Sequence, residues 1–408
     1  MKRISIEHLP TVLGGLRSQP RVVASGNFAT PVTLLDAVDR ALPNYTLHIL
    51  NAQKGIPDRP GVILETAFVG PGMRRSPRLH YVPCRLSLVP VLLHRSMPPD
   101  VVLLNTSGIH NDSVSLGIEV NILPAAVEIV RERGGIVIAQ VNRHMPYTYG
   151  DAQMHLDEID YVVEVDERIR EHHPGEPDDM ATAIGDRIAR DVPHGATLQL
   201  GIGAVPDAVL HGLTHKRNLR IWSEMFSDGA LELVNKGNID PDRPITASFL
   251  FGTQHLYTWV DHNPGVRMMR TEVTNDPGRI ARQTIMTSIN GALQVDLSAQ
   301  ANASRIRGEI YSGFGGSTDF IVGALHSRGG HAYIALPSWH PKARTSTIVP
   351  HIEGPVTSFQ HSAVVTEQGM AVVFGNSEDE QTRQIIDHCA HPDARTELWE
   401  AAHWMGRV

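Results

Sequence analysis

The sequence has little that would indicate an extracellular or membrane protein. Its 408 residues include two cysteines, Cys84 and Cys389, and neither stands in a CxxC pair or a catalytic signature. We therefore expect both thiols to be reduced and buried, and neither to be a nucleophile. No apolar run approaches the ~20 residues that span a bilayer, and residues 1–8 lack the apolar stretch of a signal peptide. These absences predict a cytoplasmic protein that does not interact with membranes.

Other missing features exclude further classes of protein. The net charge is −8, and the 36 basic residues are scattered instead of forming a stripe, which argues against nucleic acid as a partner. Neither a Walker A sequence nor a GxSxG elbow is present. Among the 22 histidines, those in residues 387–393 (DHCAHPD) look like a ligand cluster, but their spacing fits no zinc pattern. We predict no metal, and a packing role for this segment.

The length and the residue pattern predict two α/β domains. A chain of 408 residues is too long for one ordinary core, so two domains of roughly 200 residues are expected. Short β-branched runs alternate with amphipathic segments, which indicates largely parallel sheets flanked by helices. Strands are predicted at residues 22–25, 101–105, 136–141, 161–165, 197–200, 332–336 and 363–366, and helices at 122–130, 205–213 and 380–388. We divide the chain near residues 191–195, into domains 1–193 and 194–408.

One carboxylate stands in an informative place. Residues 221–229 read IWSEMFSDG, which puts Glu224 at the end of a short apolar strand and before a helix. In open α/β sheets this position faces the ligand crevice. From these residues alone, an exposed acid stabilised by the helix dipole is the alternative interpretation.

Further motifs accompany this segment in a fixed order along the chain. They are VNRHMPYTYGD (141–151), TLQLGIGAVPDAV (197–209), VTNDP (273–277), SINGALQVDL (288–297), GFGGSTDF (313–320) and VTEQG (365–369). The ordered set resembles the acetyl-CoA hydrolase/transferase family, a branch of the family I CoA-transferases that includes 4-hydroxybutyrate and butyrate CoA-transferases. The resemblance covers nearly the whole chain.

The resemblance implies two related domains of the CoA-transferase type and an enzyme that moves CoA from a short-chain acyl-CoA to a small carboxylic acid. Acetate, butyrate and 4-hydroxybutyrate are examples of such acids. Coenzyme A and acyl-CoA are then substrates, and no cofactor is bound permanently. By the same resemblance we expect a homodimer or a multiple of it. A hydrolase, with water as acceptor, and a non-catalytic CoA-binding relative are the alternatives.

The resemblance also implies roles for individual residues. Glu224 matches the nucleophile that forms a glutamyl-CoA thioester, Asn275 an active-site asparagine, and Gly316 the glycine that contacts the oxyanion. Residues implied to bind CoA or its acyl group are Gly201, Gly203, Gly315 and Glu367. Without the family, Glu367 reads equally as a strand-end carboxylate, and the glycines as ordinary turns.

Two features limit these assignments. The GIGAVP loop at residues 201–206 fails as a dinucleotide fingerprint because Pro206 replaces the third glycine, which disfavours a Rossmann-type oxidoreductase. Trp222 departs from the usual family residue beside the nucleophile. Residues two apart on a strand share a face, so we slightly prefer an orientation in which the Trp222 ring faces the acyl pocket. Packing of the ring in the core is the alternative.

Overall fold

The computed structural model describes residues 1–173, 175–201, 203–356 and 360–408. The chain forms two compact units, and each draws on three segments. The first unit comprises Met1–His173, Pro244–Thr274 and Ile310–Gly315, and the second comprises Pro174–Arg243, Asn275–Glu309 and Gly316–Val408. The predicted division into domains 1–193 and 194–408 stays a prediction. Within the described residues, no helix has the length and apolar character needed to cross a membrane.

An eight-stranded parallel sheet forms the centre of the first unit. In spatial order its strands are Lys2–Arg3, Tyr161–Val165, Ile136–Asn142, Val101–Thr106, Arg21–Ala24, Tyr45–His48, Val62–Thr66 and Leu79–Tyr81. The central strands Val101–Thr106 and Ile136–Asn142 are rich in buried β-branched residues without polar alternation, as expected of strands covered on both faces. The predicted strands at 22–25, 101–105, 136–141 and 161–165 are confirmed within one or two residues.

Helices and smaller strand pairs complete the first unit. The helices are Leu9–Leu13, Val32–Ala41, Val89–Arg95, Leu123–Glu132, Gln254–Val260 and Thr271–Thr274. Ser113–Ser115 pairs with Gln153–His155, and Ile245–Ala247, Val266–Met268 and Tyr149–Gly150 form a small parallel sheet. The helix Val32–Ala41 buries Leu34, Leu35 and Val38 in a core that includes Leu47 and Leu103 of the large sheet. This burial supplies the main stabilising term of the unit.

A six-stranded sheet forms the centre of the second unit. Its strands, in spatial order, are Arg220–Ile221, Thr197–Leu200, Met286–Gly291, His331–Ala335, Ala363–Val365 and Met370–Val372. All neighbours are parallel except the last pair, which forms a hairpin. The helices are Asp179–Asp191, Ala204–Gly212, Asp228–Asn235, Pro277–Ala281, Ser317–His326, Glu378–Cys389 and Pro392–Trp404. The predicted fold class, α/β with largely parallel sheets flanked by helices, is confirmed.

The C-terminal end of the chain differs from the prediction. The helix predicted at residues 380–388 extends over Glu378–Cys389, but a second helix, Pro392–Trp404, follows it. His391 caps this second helix, since its Nδ1 accepts a hydrogen bond of 3.3 Å from the backbone N–H of Asp393. Pro392 takes the first helical position, where a missing N–H costs nothing. The His-Pro-Asp segment thus begins a helix, and the predicted packing role of the DHCAHPD segment agrees with this cap.

Candidate active site

Glu224 lies at the carboxyl end of the sheet in the second unit. It stands between two strands of two residues each, Arg220–Ile221 and Met225–Phe226, and not at the end of one longer strand as the sequence suggested. The preceding residue, Ser223, is buried, and its Oγ lies 3.5 Å from the backbone N and 3.4 Å from the backbone O of Leu200. This contact attaches the turn before Glu224 to the end of the neighbouring parallel strand. It therefore fixes the backbone position from which the Glu224 side chain extends.

Asn275 holds the Glu224 carboxylate from one side. Its Nδ2 donates a hydrogen bond of 2.9 Å to Oε1 of Glu224, and the Asn275 side chain is fully buried. The next residue, Asp276, caps the helix Pro277–Ala281 by accepting a bond of 2.7 Å from the backbone N–H of Arg279. Because the cap fixes the backbone beside Asn275, the amide approaches the carboxylate in a defined direction.

Gly316 approaches the same carboxylate with its backbone. A Cβ atom built on Gly316 would lie 2.2 Å from Oε1 of Glu224 and 2.2 Å from Nδ2 of Asn275, closer than real Cβ contacts occur. Only glycine fits this position without moving its neighbours. Gly316 is also the N-cap of the helix Ser317–His326, whose N-terminus carries a partial positive charge. The predicted trio of Glu224, Asn275 and Gly316 is therefore in mutual contact, although their catalytic roles stay predictions.

The surroundings of Glu224 disfavour its charged form. Burial raises the pKa of Glu224 to about 7, the hydrogen bond from Asn275 opposes this rise, and the negative charge of Asp319 adds to it. Asp319 itself is fully buried in the first turn of the helix Ser317–His326. Sequence analysis assigned no role to Asp319, although it lies inside the GFGGSTDF motif. A poorly solvated carboxylate of this kind is typical of functional sites.

The glycine loop at residues 201–206 lies at the same edge of the sheet as Glu224. Gly201 follows the strand Thr197–Leu200, which pairs in parallel with Arg220–Ile221, so both strands end on one side. Gly203 has a φ of 124°, which other residues rarely adopt, and among the described residues no atom beyond its chain neighbours lies within 4 Å of a Cβ built there. Residue 202 lies outside the described residues. The binding roles of Gly201 and Gly203 stay predictions.

The Glu367 carboxylate forms hydrogen bonds with residues of the second unit. Its carboxylate accepts a hydrogen bond of 2.9 Å from the backbone N–H of Ser338, a second from the Ser338 hydroxyl, and one of 3.2 Å from Nε2 of Gln368. Ser338 and Glu367 follow neighbouring parallel strands, His331–Ala335 and Ala363–Val365. These bonds support the strand-end interpretation of Glu367, and its predicted contact with CoA stays a prediction. Sequence analysis did not identify Ser338 as its partner.

Gly315 belongs to the first unit. A Cβ built on it would meet the ring of Phe68 at 3.0 Å, and its carbonyl accepts a hydrogen bond of 2.8 Å from the backbone N–H of Leu86. Its φ of 56° is left-handed, which favours glycine. These contacts explain why glycine stands here, while its predicted role in binding CoA stays a prediction.

Trp222 corrects an expectation from the sequence. The argument that it shares a face with Glu224 assumed a strand through both residues, but the strand ends at Ile221. The partly buried Trp222 packs against the hydrophobic core of the second unit, whose members include Ile334, Phe320 and Ile385. The core-packing alternative is therefore the observed one, and the slight preference for a ring in the acyl pocket was wrong.

The cysteines and histidines form no further reactive cluster in the part of the chain that the structure describes. Cys84 and Cys389 are both free and buried, as predicted. Burial raises the pKa of the Cys389 thiol far above its usual value, which makes it a poor nucleophile. Among the described residues, no group of three or more His, Cys, Asp or Glu side chains could hold a metal ion.

The chain is similar to proteins of one known family. The N-terminal domain of the acetyl-CoA hydrolase/transferase family matches residues 65–171, and its C-terminal domain matches residues 252–402. The 4-hydroxybutyrate coenzyme A transferase of Clostridium kluyveri is 37% identical, with 94% of each chain covered. The crystal structure of RipA from Yersinia pestis superposes with a TM-score of 0.93 at 28% identity, covering 100% of this chain and 98% of that one.

A second solved structure gives the same result. The 4-hydroxybutyrate CoA-transferase of Porphyromonas gingivalis superposes with a TM-score of 0.84 at 30% identity, covering 99% of this chain and 98% of that one. The C-terminal domain match includes Asn275 and Gly316, whereas Glu224 lies between the two matched ranges. The chain belongs to the acetyl-CoA hydrolase/transferase family, a family of enzymes.

Proposed function

We propose that the protein is a CoA-transferase that moves CoA from a short-chain acyl-CoA to a small carboxylic acid such as acetate, butyrate or 4-hydroxybutyrate. The reaction passes through a covalent glutamyl-CoA thioester on Glu224. The observation that supports this most directly is the hydrogen bond of one carboxylate oxygen with the Asn275 amide, beside Gly316, where a Cβ atom would collide with the same oxygen. A covalent relay of this kind needs a carboxylate held in place beside backbone that accommodates a developing charge.

The chemistry demands such a relay because a carboxylate is a poor leaving group. The Glu224 carboxylate attacks the acyl-CoA carbonyl and expels the CoA thiolate, which leaves a mixed anhydride. The thiolate then attacks the glutamyl carbonyl and expels the acyl carboxylate, which leaves the glutamyl-CoA thioester. The acceptor acid repeats these two steps in reverse and departs as its CoA thioester, and Glu224 returns to a carboxylate.

The electrostatics of the site favour the acylated states. Burial and the neighbouring charge of Asp319 penalise the Glu224 anion, as its raised pKa indicates. The anhydride and the thioester carry no charge on the glutamyl group, so they escape this penalty. Each tetrahedral intermediate places negative charge on an oxygen, and we assign its stabilisation to the Gly316 backbone and the Asn275 amide, both of which are close to the Glu224 carboxylate.

The remaining assignments belong to the same proposal. Gly201, Gly203, Gly315 and Glu367 contribute to binding the acyl-CoA, and no metal or permanently bound cofactor takes part. The enzyme works as a homodimer or a multiple of it in the cytoplasm. The open space beside Gly203 supports its share in ligand binding, because no atom of the described residues beyond its chain neighbours lies within 4 Å of a Cβ built there.

Trapping the thioester tests the mechanism. Protein incubated with butyryl-CoA and then treated with sodium borohydride is expected to lose activity, because borohydride reduces a glutamyl thioester to the alcohol. Peptide mass mapping is expected to place the change on Glu224. The matched control is Glu232→Gln, which removes an exposed glutamate of the neighbouring helix and leaves the trapping intact. Active protein without a modified Glu224 would contradict the proposal.

The same preparation separates transfer from hydrolysis, since the family includes both activities by name. For a transferase, release of free CoA from butyryl-CoA stays slow until acetate is added as acceptor. Equal rates of CoA loss with and without acetate would assign the protein to the hydrolases, with water resolving the same intermediate.

A further inference from the structure

Glu119 is a buried carboxylate of the first unit that the proposed reaction does not use. The residue is 1% exposed, and it lies in the segment that precedes the helix Leu123–Glu132. Its backbone forms an isolated antiparallel bridge with Phe249, in another segment of the same unit. A carboxylate that is removed from water in this way needs hydrogen-bond donors around it.

Two buried asparagine amides provide these donors. Nδ2 of Asn27 donates a hydrogen bond of 2.5 Å to Oε2 of Glu119, and Nδ2 of Asn121 donates one of 2.8 Å to Oε1. A third amide extends the arrangement, since Nδ2 of Asn51 donates a bond of 2.7 Å to Oδ1 of Asn27. These four residues, here called the Glu119 network, join three segments that are far apart in sequence.

The three asparagines of the Glu119 network share an unusual backbone conformation. Their φ angles are 47° at Asn27, 47° at Asn51 and 36° at Asn121, all in the left-handed region. Asn27 follows the strand Arg21–Ala24, and Asn51 follows the strand Tyr45–His48. Left-handed residues other than glycine are uncommon, and asparagine tolerates the conformation because its side chain can hydrogen-bond locally. The network therefore fixes three corners of the chain in a conformation that few residues adopt.

Two of these corners contribute to the wall of a crevice of about 260 Å³ in the first unit. Asn27 and Phe28 line the crevice at the first corner. Gln53 lines it beside the second, and its Nε2 donates a hydrogen bond of 2.9 Å to the backbone O of Asn51. Glu119 is not among the described residues that line the crevice. It therefore acts on the wall through Asn27, as a positioning residue.

The surroundings of Glu119 disfavour its charged form. Burial raises the pKa of Glu119 to about 7, and the hydrogen bonds from Asn121 and Asn27 oppose this rise. No charged side chain among the described residues contributes to the shift. This includes the charged residues that line the crevice, namely Lys54, Glu167, Arg168 and Arg170. Both forms of Glu119 are therefore populated near neutral pH.

The network offers an acceptor for the proton of Glu119. Oδ1 of Asn121 is buried and has no hydrogen-bond partner among the described residues. Rotation of the Asn121 amide, which exchanges its oxygen and nitrogen, presents this oxygen to the hydroxyl of protonated Glu119 while the bond from Asn27 remains. The protonated network is thus satisfied without water. The ionised network keeps both amide bonds but contains a buried charge, and only water relieves the cost of burying it.

We propose that Glu119 is a proton-dependent positioning residue, which holds the crevice wall at residues 26–30 and 49–53 when it is protonated and loosens it when it is ionised. The folded pKa of about 7 lies above the ordinary value of 4.5, so the observed network is most stable at low pH and weakens as pH rises from 4.5 through about 7. The ionised carboxylate regains water only when these loops open. The inference goes beyond the proposed transfer reaction, because the loosening requires neither CoA nor Glu224.

Hydrogen exchange of the full chain, followed by mass spectrometry at roughly pH 5 and roughly pH 8, tests the proposal without any ligand. In the wild type, the amides of residues 26–30 and 49–53 are expected to lose protection by about tenfold or more between these pH values, after correction for the intrinsic exchange rate. Glu119→Gln cannot ionise, and its amide can accept from Asn27 and donate to Asn121, as the protonated acid does. We expect this variant to keep the protection at both pH values.

Glu132→Gln is the matched control, because it removes an exposed carboxylate from the helix Leu123–Glu132 and is expected to behave like the wild type. Circular dichroism establishes that each variant is folded. If Glu119→Gln does not fold, Asn27→Gly decides the question. Glycine keeps the left-handed backbone but removes the bond to Glu119, so residues 26–30 are expected to exchange rapidly at both pH values.

Three results would overturn the proposal. The first is a wild type whose loops are equally protected at the two pH values. The second is the same pH dependence in the wild type and in folded Glu119→Gln. The third is protection of residues 26–30 in Asn27→Gly that still falls with rising pH as it does in the wild type.

Discussion

Asn275 Nδ2 and Glu224 Oε1 are joined by a hydrogen bond of 2.9 Å at the carboxyl end of the second sheet. The bond lowers the pKa of Glu224 against the larger effect of burial, so it controls how much of the carboxylate is ionised near neutral pH. Since the carboxylate is the form that attacks, the first prediction concerns the pH dependence of activity.

In the wild type, kcat/KM for the acyl-CoA is expected to rise as pH increases through about 7, because Glu224 loses its proton there. Asn275→Ala removes the bond that opposes the pKa rise, so the midpoint is expected to move upward by about one pH unit. The control Asn238→Ala removes another buried amide of the second unit, bonded to the carbonyls of Thr214 and Lys216. If the midpoint of the pH profile also shifts in Asn238→Ala, or does not shift in Asn275→Ala, the role of Asn275 is purely structural.

The second prediction concerns the space at Gly316. The Cβ of Gly316→Ala would lie within 2.2 Å of both Glu224 Oε1 and Asn275 Nδ2, so the two side chains must separate. We expect kcat to fall by about 10²-fold or more, which is typical when one stabilising donor of an oxyanion is lost. Gly15→Ala is the matched control, because no atom of the described residues beyond its chain neighbours lies within 4 Å of the added Cβ. Full activity in folded Gly316→Ala would mean that the loop at residues 313–316 has only a structural role.

The third prediction links the charge of Glu224 to stability. Its folded pKa of about 7 lies above the ordinary value of 4.5, so the folded state retains a proton that the unfolded state has lost between these values. The contribution of Glu224 to the free energy of unfolding is therefore greatest at low pH and falls as pH rises from 4.5 to about 7. Glu224→Gln cannot ionise and avoids this loss.

Urea denaturation at roughly pH 5 and roughly pH 8 measures the difference. We expect Glu224→Gln to be close to the wild type at the lower pH and up to ~3 kcal/mol more stable at the higher pH. The exposed Glu232→Gln serves as the control, because loss of its surface ion pair with Lys236 changes stability by less than about 1 kcal/mol. A destabilised Glu224→Gln at the higher pH would mean that the ionised carboxylate is favoured in the folded protein.

Much of the fold was predictable because buried parallel strands have continuous runs of apolar, often β-branched residues, as in residues 101–105 and 136–141. The two-residue strands around Glu224 were not, since no periodicity exists over so short a stretch. The position of residues 244–274 within the first unit depends on packing between segments far apart in sequence, which local patterns do not encode. The final helix was missed because the histidine and proline that begin it resemble a helix end.

The candidate site divides in a similar way. Motif order brought Glu224, Asn275 and Gly316 to attention, and the structure places them in contact. The neighbours of the acidic site residues were not predictable. Nothing in the sequence pairs Ser338 with Glu367 or places Asp319 beside Glu224.

The last prediction concerns Trp222, whose ring packs against the core of the second unit. Trp222→Ala removes much of a partly buried aromatic side chain and is expected to cost about 2–4 kcal/mol of stability. Trp222→Phe retains most of the buried area and is expected to cost less. Because the ring supports the core, the relative kcat/KM for acetyl-CoA, butyryl-CoA and longer acyl-CoAs is expected to stay the same in both variants. Urea denaturation and a chain-length series on the same preparations check this. A gain of activity with longer acyl chains at unchanged stability would place the ring in the acyl pocket instead.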